Sequence, residues 1–141
     1  MAQFDRNHFK PRFETEALPF HSIFKTTDDI GSAIYCDSKL YSDSKVWVRI
    51  YRVPRVSKGD LQKFKVVGHE HKVDEVHMVA GKSGAAKFKW IFRNPNTGEE
   101  TFLTESPCTV YIPAGTWHHV EWLEVNEPVT VVAMILEGKY P

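Results

Sequence analysis

Gly68-His69-Glu70-His71-Lys72-Val73-Asp74-Glu75-Val76-His77 places three histidines among carboxylates around a turn, then enters the apolar run Val76–Ala80. Side chains of an extended chain alternate faces, so His69 and His71, two residues apart, point the same way. Their ring nitrogens can share one ion at about 2.0–2.2 Å each if the metal is zinc-like. Glu75 follows after a short polar step that can turn the chain, and could add an oxygen to the same ion. His77 lies two residues beyond Glu75 and on a strand shares its face. A second cluster, Pro113-Ala114-Gly115-Thr116-Trp117-His118-His119, offers the missing ligand from far along the chain.

Around these clusters the chain reads as strands. Val46–Val53 is β-branched and aromatic and is ended by Pro54, and Ser57-Lys58-Gly59-Asp60 is expected to turn. Phe64–Val67 leads into the histidine cluster, and Gly81-Lys82-Ser83-Gly84 turns the chain after it. Ala86, Phe88, Trp90 and Phe92 then alternate with Lys87, Lys89, Ile91 and Arg93, the cleanest period of two in the sequence. That pattern predicts an aromatic core face and a solvated basic face. Asn94-Pro95-Asn96-Thr97-Gly98 is a hairpin turn by composition. Thr101–Leu103, Cys108–Ile112, Val120–Leu123 and Val129–Leu136 complete the strands. No segment holds a helical period over three turns, so short strands with Gly/Pro turns indicate an all-β sandwich or barrel.

Upstream, phenylalanines at 4, 9, 13, 20 and 24, interrupted by Pro11 and Pro19, fit neither a helix face nor strict alternation. The expectation is an irregular arm whose rings lie on the barrel or on a second subunit, making the protein a homodimer. Ile34–Cys36 and Leu40–Tyr41 are expected as short edge strands around an Asp37-Ser38 turn. The 141 residues suit a single domain over 1–141, with the arm and edge strands in 1–41 and the barrel over about 42–138. Eighteen basic and eighteen acidic residues balance, which argues against nucleic acid or an anionic membrane as partner. No apolar run is long enough to span a membrane, and the first residues lack the apolar core of a secretory signal. Cys36 and Cys108 read as two reduced thiols of a cytoplasmic protein.

The spacing His69-x-His71-x3-Glu75 followed by Gly81, with Pro113-x-Gly115-x2-His118 downstream, resembles the two signature motifs of the cupin superfamily. The resemblance covers about residues 42 to 138. It implies a double-stranded β-helix, or jelly-roll, barrel in which His69, His71, Glu75 and His118 ligate one divalent metal, with Pro113 and Gly115 shaping the turn that aims His118. Five residues rather than six separate Glu75 from Gly81. Trp122 stands where the family often has asparagine, and Phe64 where it has glycine. His77 is an addition: many relatives carry an aromatic there. It could replace Glu75 at the metal, act as an acid/base near neutrality, or be a hydrogen-bonded barrel histidine. His119 should face away from His118, and His8 and His21 read as surface residues.

Imidazole and carboxylate ligands suit Fe, Mn, Zn or Ni, and spacing does not choose among them. An open coordination position fits a catalytic metal. Resemblance to small single-domain cupins implies dioxygenases, isomerases, lyases and aromatic polyketide cyclases among the activities. The leading expectation is an enzyme acting on a small, oxygen-chelating organic substrate, aromatic ones included, with Glu75 and His77 as catalytic candidates. The extra histidine favours redox-neutral cyclisation, dehydration, isomerisation or lyase chemistry. An Fe(II) dioxygenase and a non-enzymatic metal or small-ligand binding module are the alternatives.

Overall fold

The computed structural model describes residues 13–14, 33–61 and 67–138. Within them, nine strands form two antiparallel sheets. The larger has the order β1-β2-β3-β9-β4-β7, and the smaller β6-β5-β8. The strands are β1 (Phe13–Glu14), β2 (Ala33–Cys36), β3 (Trp47–Val53), β4 (Glu75–Ala80), β5 (Ala86–Asn94), β6 (Gly98–Glu105), β7 (Cys108–Ile112), β8 (Trp117–Val125) and β9 (Val129–Ile135). Strands distant in sequence pair, β3 with β9, β4 with both β7 and β9, and β5 with β8. The chain thus crosses repeatedly from sheet to sheet, giving the jelly-roll topology that its strand pattern implies.

The core lies between the sheets. Val53, Val79, Ile112, Val129 and Val131 from the larger sheet meet Phe88, Trp90 and Val125 from the smaller. β9 shows why this sequence chooses a strand: its β-branched residues alternate buried and half-buried along its whole length. In β5, Phe88 and Trp90 are buried and Phe92 half-buried, so the aromatic stripe faces the core as its alternation predicts. Its basic face is paired rather than merely solvated, Lys87 with Glu124 at 3.0 Å and Lys89 with Glu121 at 2.6 Å across to β8. The 94–98 hairpin closes with Gly98 at φ 85°, a conformation that costs glycine little.

Three sequence expectations change. Ser57–Asp60 opens a four-residue helix, Lys58–Leu61, rather than a plain turn. The Ser57 hydroxyl accepts from the Asp60 N–H at 3.2 Å, and Leu61 anchors the helix in the core. Leu40–Tyr41 is a turn, not a strand, because both N–H groups bond the Asp37 carbonyl and the Asp37 carboxylate accepts from Leu40 as well. β2 is not an edge, since β1 pairs on its outer side. The phenylalanines at 4, 9, 20 and 24, His8, His21 and Phe64 lie outside the described residues. Cys36 and Cys108 are both free thiols. Among the described residues no helix is long and apolar enough to cross a membrane.

Candidate metal centre

Two clusters, separated in sequence by the four strands β4 to β7, are zipped together at the site. His69 and His118 form an antiparallel bridge, N–H to carbonyl at 3.0 Å one way and 2.8 Å the other. The Gly115 N–H donates to the His71 carbonyl at 2.7 Å. Asp74 adds a third tie: its Oδ1 accepts from the Ala114 N–H at 2.9 Å and its Oδ2 from the Tyr111 hydroxyl at 2.6 Å. These two donors hold the Asp74 carboxyl below its ordinary pKa. Gly68 is required by packing, because a Cβ there would overlap the Trp117 ring. Gly115, at φ 73°, makes the turn after Pro113 that starts β8 and so places His118.

The result is a convergence of buried polar atoms. His69, His71 and His118 each present a ring nitrogen, all within 4.8 Å of one another. The Nε2 atoms of His69 and His71 are 3.1 Å apart. Glu75 Oε2 lies 3.4 Å from His71 Nε2 and 3.2 Å from His118 Nε2. Ligands at about 2.0–2.2 Å from one ion stand roughly 2.8–3.6 Å apart when adjacent, from octahedral cis to tetrahedral edges. The three separations of 3.1, 3.2 and 3.4 Å fall in that interval.

The tautomers sharpen the fit. His69 Nδ1 faces the Val67 carbonyl at 2.8 Å, and His118 Nδ1 faces the Thr116 carbonyl at 3.0 Å. A ring nitrogen can only donate to a carbonyl, so in the neutral rings both Nε2 atoms are lone pairs. Burial lowers the pKa of His69, and lowers that of His71 to about 4, keeping both neutral near pH 7. Glu75 Oε2 is buried with no hydrogen-bond donor. Burial, the largest influence on this carboxyl, raises its pKa, but the hydrogen bond from His77 to Oε1 is among the influences that bring it below the ordinary carboxylate range. Lone pairs and a carboxylate oxygen facing each other inside a protein repel unless a cation lies between them. The donor set therefore suits a divalent ion.

Glu75 and His77 share the inner face of β4, as strand parity requires. His77 does not stand beside the three histidines: its Nε2 meets the other carboxylate oxygen, Glu75 Oε1, at 2.7 Å. Its ring lies edge-on to Trp90, reaching across from the smaller sheet, with centroids 5.3 Å apart. The arrangement is a carboxylate with one oxygen toward the histidine cluster and the other held by His77. His119 faces the opposite side of β8, 3.5 Å from Glu121 Oε1.

Comparison with solved structures places the fold. Oxalate decarboxylase from Bacillus subtilis, in a study of its Mn(II) centres, aligns over 82% of this chain at 16% identity with a TM-score of 0.54. An oxalate decarboxylase structure concerned with substrate binding mode and a switch in reaction specificity aligns over 82% at 18% identity with a TM-score of 0.53. The chain has the cupin fold. The chain spans only 28% of the length of either neighbour. No protein-family model and no curated protein sequence matches it. The sequence had named the residues of the cluster. It missed Asp74, whose only signal was a carboxylate beside Glu75, and Trp90 as the neighbour of His77.

Proposed function

We propose that this cupin is a metal-dependent enzyme in which His69, His71, His118 and Glu75 hold one divalent transition metal and a small organic substrate binds it through oxygen. The observation that carries the reading is the convergence of three imidazole nitrogens and a buried, donor-free Glu75 Oε2 at 3.1–3.4 Å spacings. Metal bound there would act as a Lewis acid toward a carbonyl or enolate oxygen. The chain's own contribution is orientation and proton handling. The His77–Glu75 bond fixes which carboxylate oxygen faces the cluster. The His77–Glu75 pair is the group that would lend a proton to, or take one from, a substrate atom at the site. Trp90 and Phe92, stacked at 6.1 Å, form an apolar wall that limits water.

Redox-neutral lyase, cyclase, dehydratase or isomerase chemistry is the favoured branch. The description of a neighbouring fold as a decarboxylase with Mn(II) centres supports that choice and makes manganese the first metal to try. We place the protein in the cytoplasm, in keeping with its two free thiols, and expect it to work as a homodimer. The test is metal analysis of protein purified without added metal, paired with O2-uptake measurements over a substrate panel. Manganese or zinc, with turnover and no O2 uptake, is expected. Iron with substrate-dependent O2 uptake would overturn the redox-neutral branch.

A further inference from the structure

The two sheets present different chemistry to the outside. On the smaller sheet the outward side chains include the ion pairs of Lys87 with Glu124, Lys89 with Glu121, and Arg93 with Glu99 at 3.8 Å. On the larger sheet the register lines up another kind of surface. Trp47, Val53, Val79, Val131 and Ile135 are buried in the core, so the alternate residues of the same strands face out. Val48, Met134 and Val76 make one cross-strand row over β3, β9 and β4, and Ile50, Val132 and Met78 make the next. All six are apolar; Ile50 is 37% exposed and the other five are half-buried. Two exposed residues extend the patch: Tyr111, opposite Val76 on β7, and Leu136, just past the end of β9, whose N–H donates to the Asp74 carbonyl at 3.1 Å.

An antiparallel sheet with one face in water alternates apolar and polar residues, and strands that read as near-continuous apolar runs are those covered on both faces. In β9 the one polar residue is Thr130. β4 inverts the usual order, with polar Glu75 and His77 facing in and apolar Val76 and Met78 facing out. The outer face of the larger sheet is therefore built to be covered. Four strands about 4.8 Å apart, and three rows about 6.8 Å apart ending at Leu136, span about 400 Å² of sheet. That is about half of what one partner contributes to a standard protein interface, enough for its apolar centre. The two rows hold no charged side chain, so laying the face against its own copy buries no unpaired charge. Sheets pack face to face about 10 Å apart with their strands nearly aligned, and an isologous pair brings the same patch to both sides. Met78 and Met134 supply side chains flexible enough to fill the seam.

We infer that a second copy of this chain docks on this face, sheet against sheet, with the Val48, Met134, Val76 row and the Ile50, Val132, Met78 row at the centre of the interface. This surface is that of the homodimer proposed above and rests on that reading, while owing nothing to the metal. β4 then carries the candidate metal centre on one face and the interface on the other.

The test is sedimentation equilibrium of the full-length protein, with circular dichroism to confirm the sheets. Val132→Lys and Met78→Glu each put a charge at the centre of the patch from a different strand. Each should raise the dimer Kd about 100-fold or more, because an unpaired charge is buried in both copies. Leu103→Lys, at a 73% exposed position on the outside of the smaller sheet, should leave the Kd within a few-fold. Wild type alone supplies an independent reading: peroxide should oxidise Met78 and Met134 several-fold more slowly well above the dimer Kd than well below it, followed by peptide mass spectrometry. A wild-type dimer that both charge variants leave intact, or whose two methionines oxidise equally on either side of the Kd, overturns this face and leaves the homodimer standing. Monomeric wild type at high micromolar concentration overturns both. If deleting residues 1–20 then speeds oxidation of the two methionines, the occupant is the chain's own N-terminal segment.

Discussion

His77→Leu isolates the role of the histidine that binds Glu75 from outside the three-histidine cluster. The substitution removes the N–H that Glu75 Oε1 accepts at 2.7 Å and leaves that oxygen buried, its side chain being 3% exposed. A hydrogen bond to a charged group contributes about 1.5–3 kcal/mol, and the stranded acceptor falls in a similar range. Part of that cost is relieved when Glu75 rotates, but rotation takes Oε2 away from His71 and His118. The carboxylate cannot satisfy both demands. Metal affinity should therefore fall about 10- to 100-fold, the range for removing a group that orients a ligand. His77→Gln retains a donor of similar reach and should recover a large part of the loss. The assay is competition for Mn(II) or Zn(II) against a chromogenic chelator, with circular dichroism to confirm the fold. Unchanged affinity in His77→Leu would refute the reasoning, since Glu75 would then hold its orientation without the bond.

Gly68→Ala should destabilise the protein by about 1–3 kcal/mol through overpacking against Trp117 and weaken metal binding in parallel, measured by denaturant unfolding and metal titration. Asp74→Ala unties the Pro113–Gly115 turn from β4, so metal affinity should drop about tenfold with the core intact; equal affinity would show that the His69–His118 bridge aligns the loops alone. Phe88→Ala, at a fully buried site against Trp122, should cost about 3–5 kcal/mol by chemical denaturation. Deleting residues 1–20 should weaken self-association and spare metal binding. A monomeric full-length protein at high micromolar concentration in light scattering would rule out the homodimer.

The parts of the fold legible in the sequence are those governed by local period. β5 announces itself because Phe88, Trp90 and Phe92 must face one way while Lys87, Lys89 and Arg93 face the other. The histidine cluster is legible because residues two apart share a face and the second motif supplies His118. Strand parity likewise puts His77 beside Glu75. Which oxygen His77 meets is a matter of rotamer, and no spacing rule reports it. Asp74 escaped notice because its partners lie 37 and 40 residues away, brought near only by the pairing of β4 with β7. The helix at Lys58–Leu61 has four residues, too few to register a period against its Gly59. The Leu40–Tyr41 turn follows from one Asp37 side chain outcompeting the strand preference of two apolar residues.

The central claim is that the converging nitrogens and Glu75 Oε2 constitute one metal site. Its most direct test is elemental analysis of wild type and the His69→Ala/His71→Ala double variant, both loaded with Mn(II) or Zn(II) and desalted. Wild type should retain about one equivalent per chain, and the double variant should lose nearly all of it while keeping its β-sheet circular dichroism. A folded double variant that retains the full equivalent would contradict the assignment.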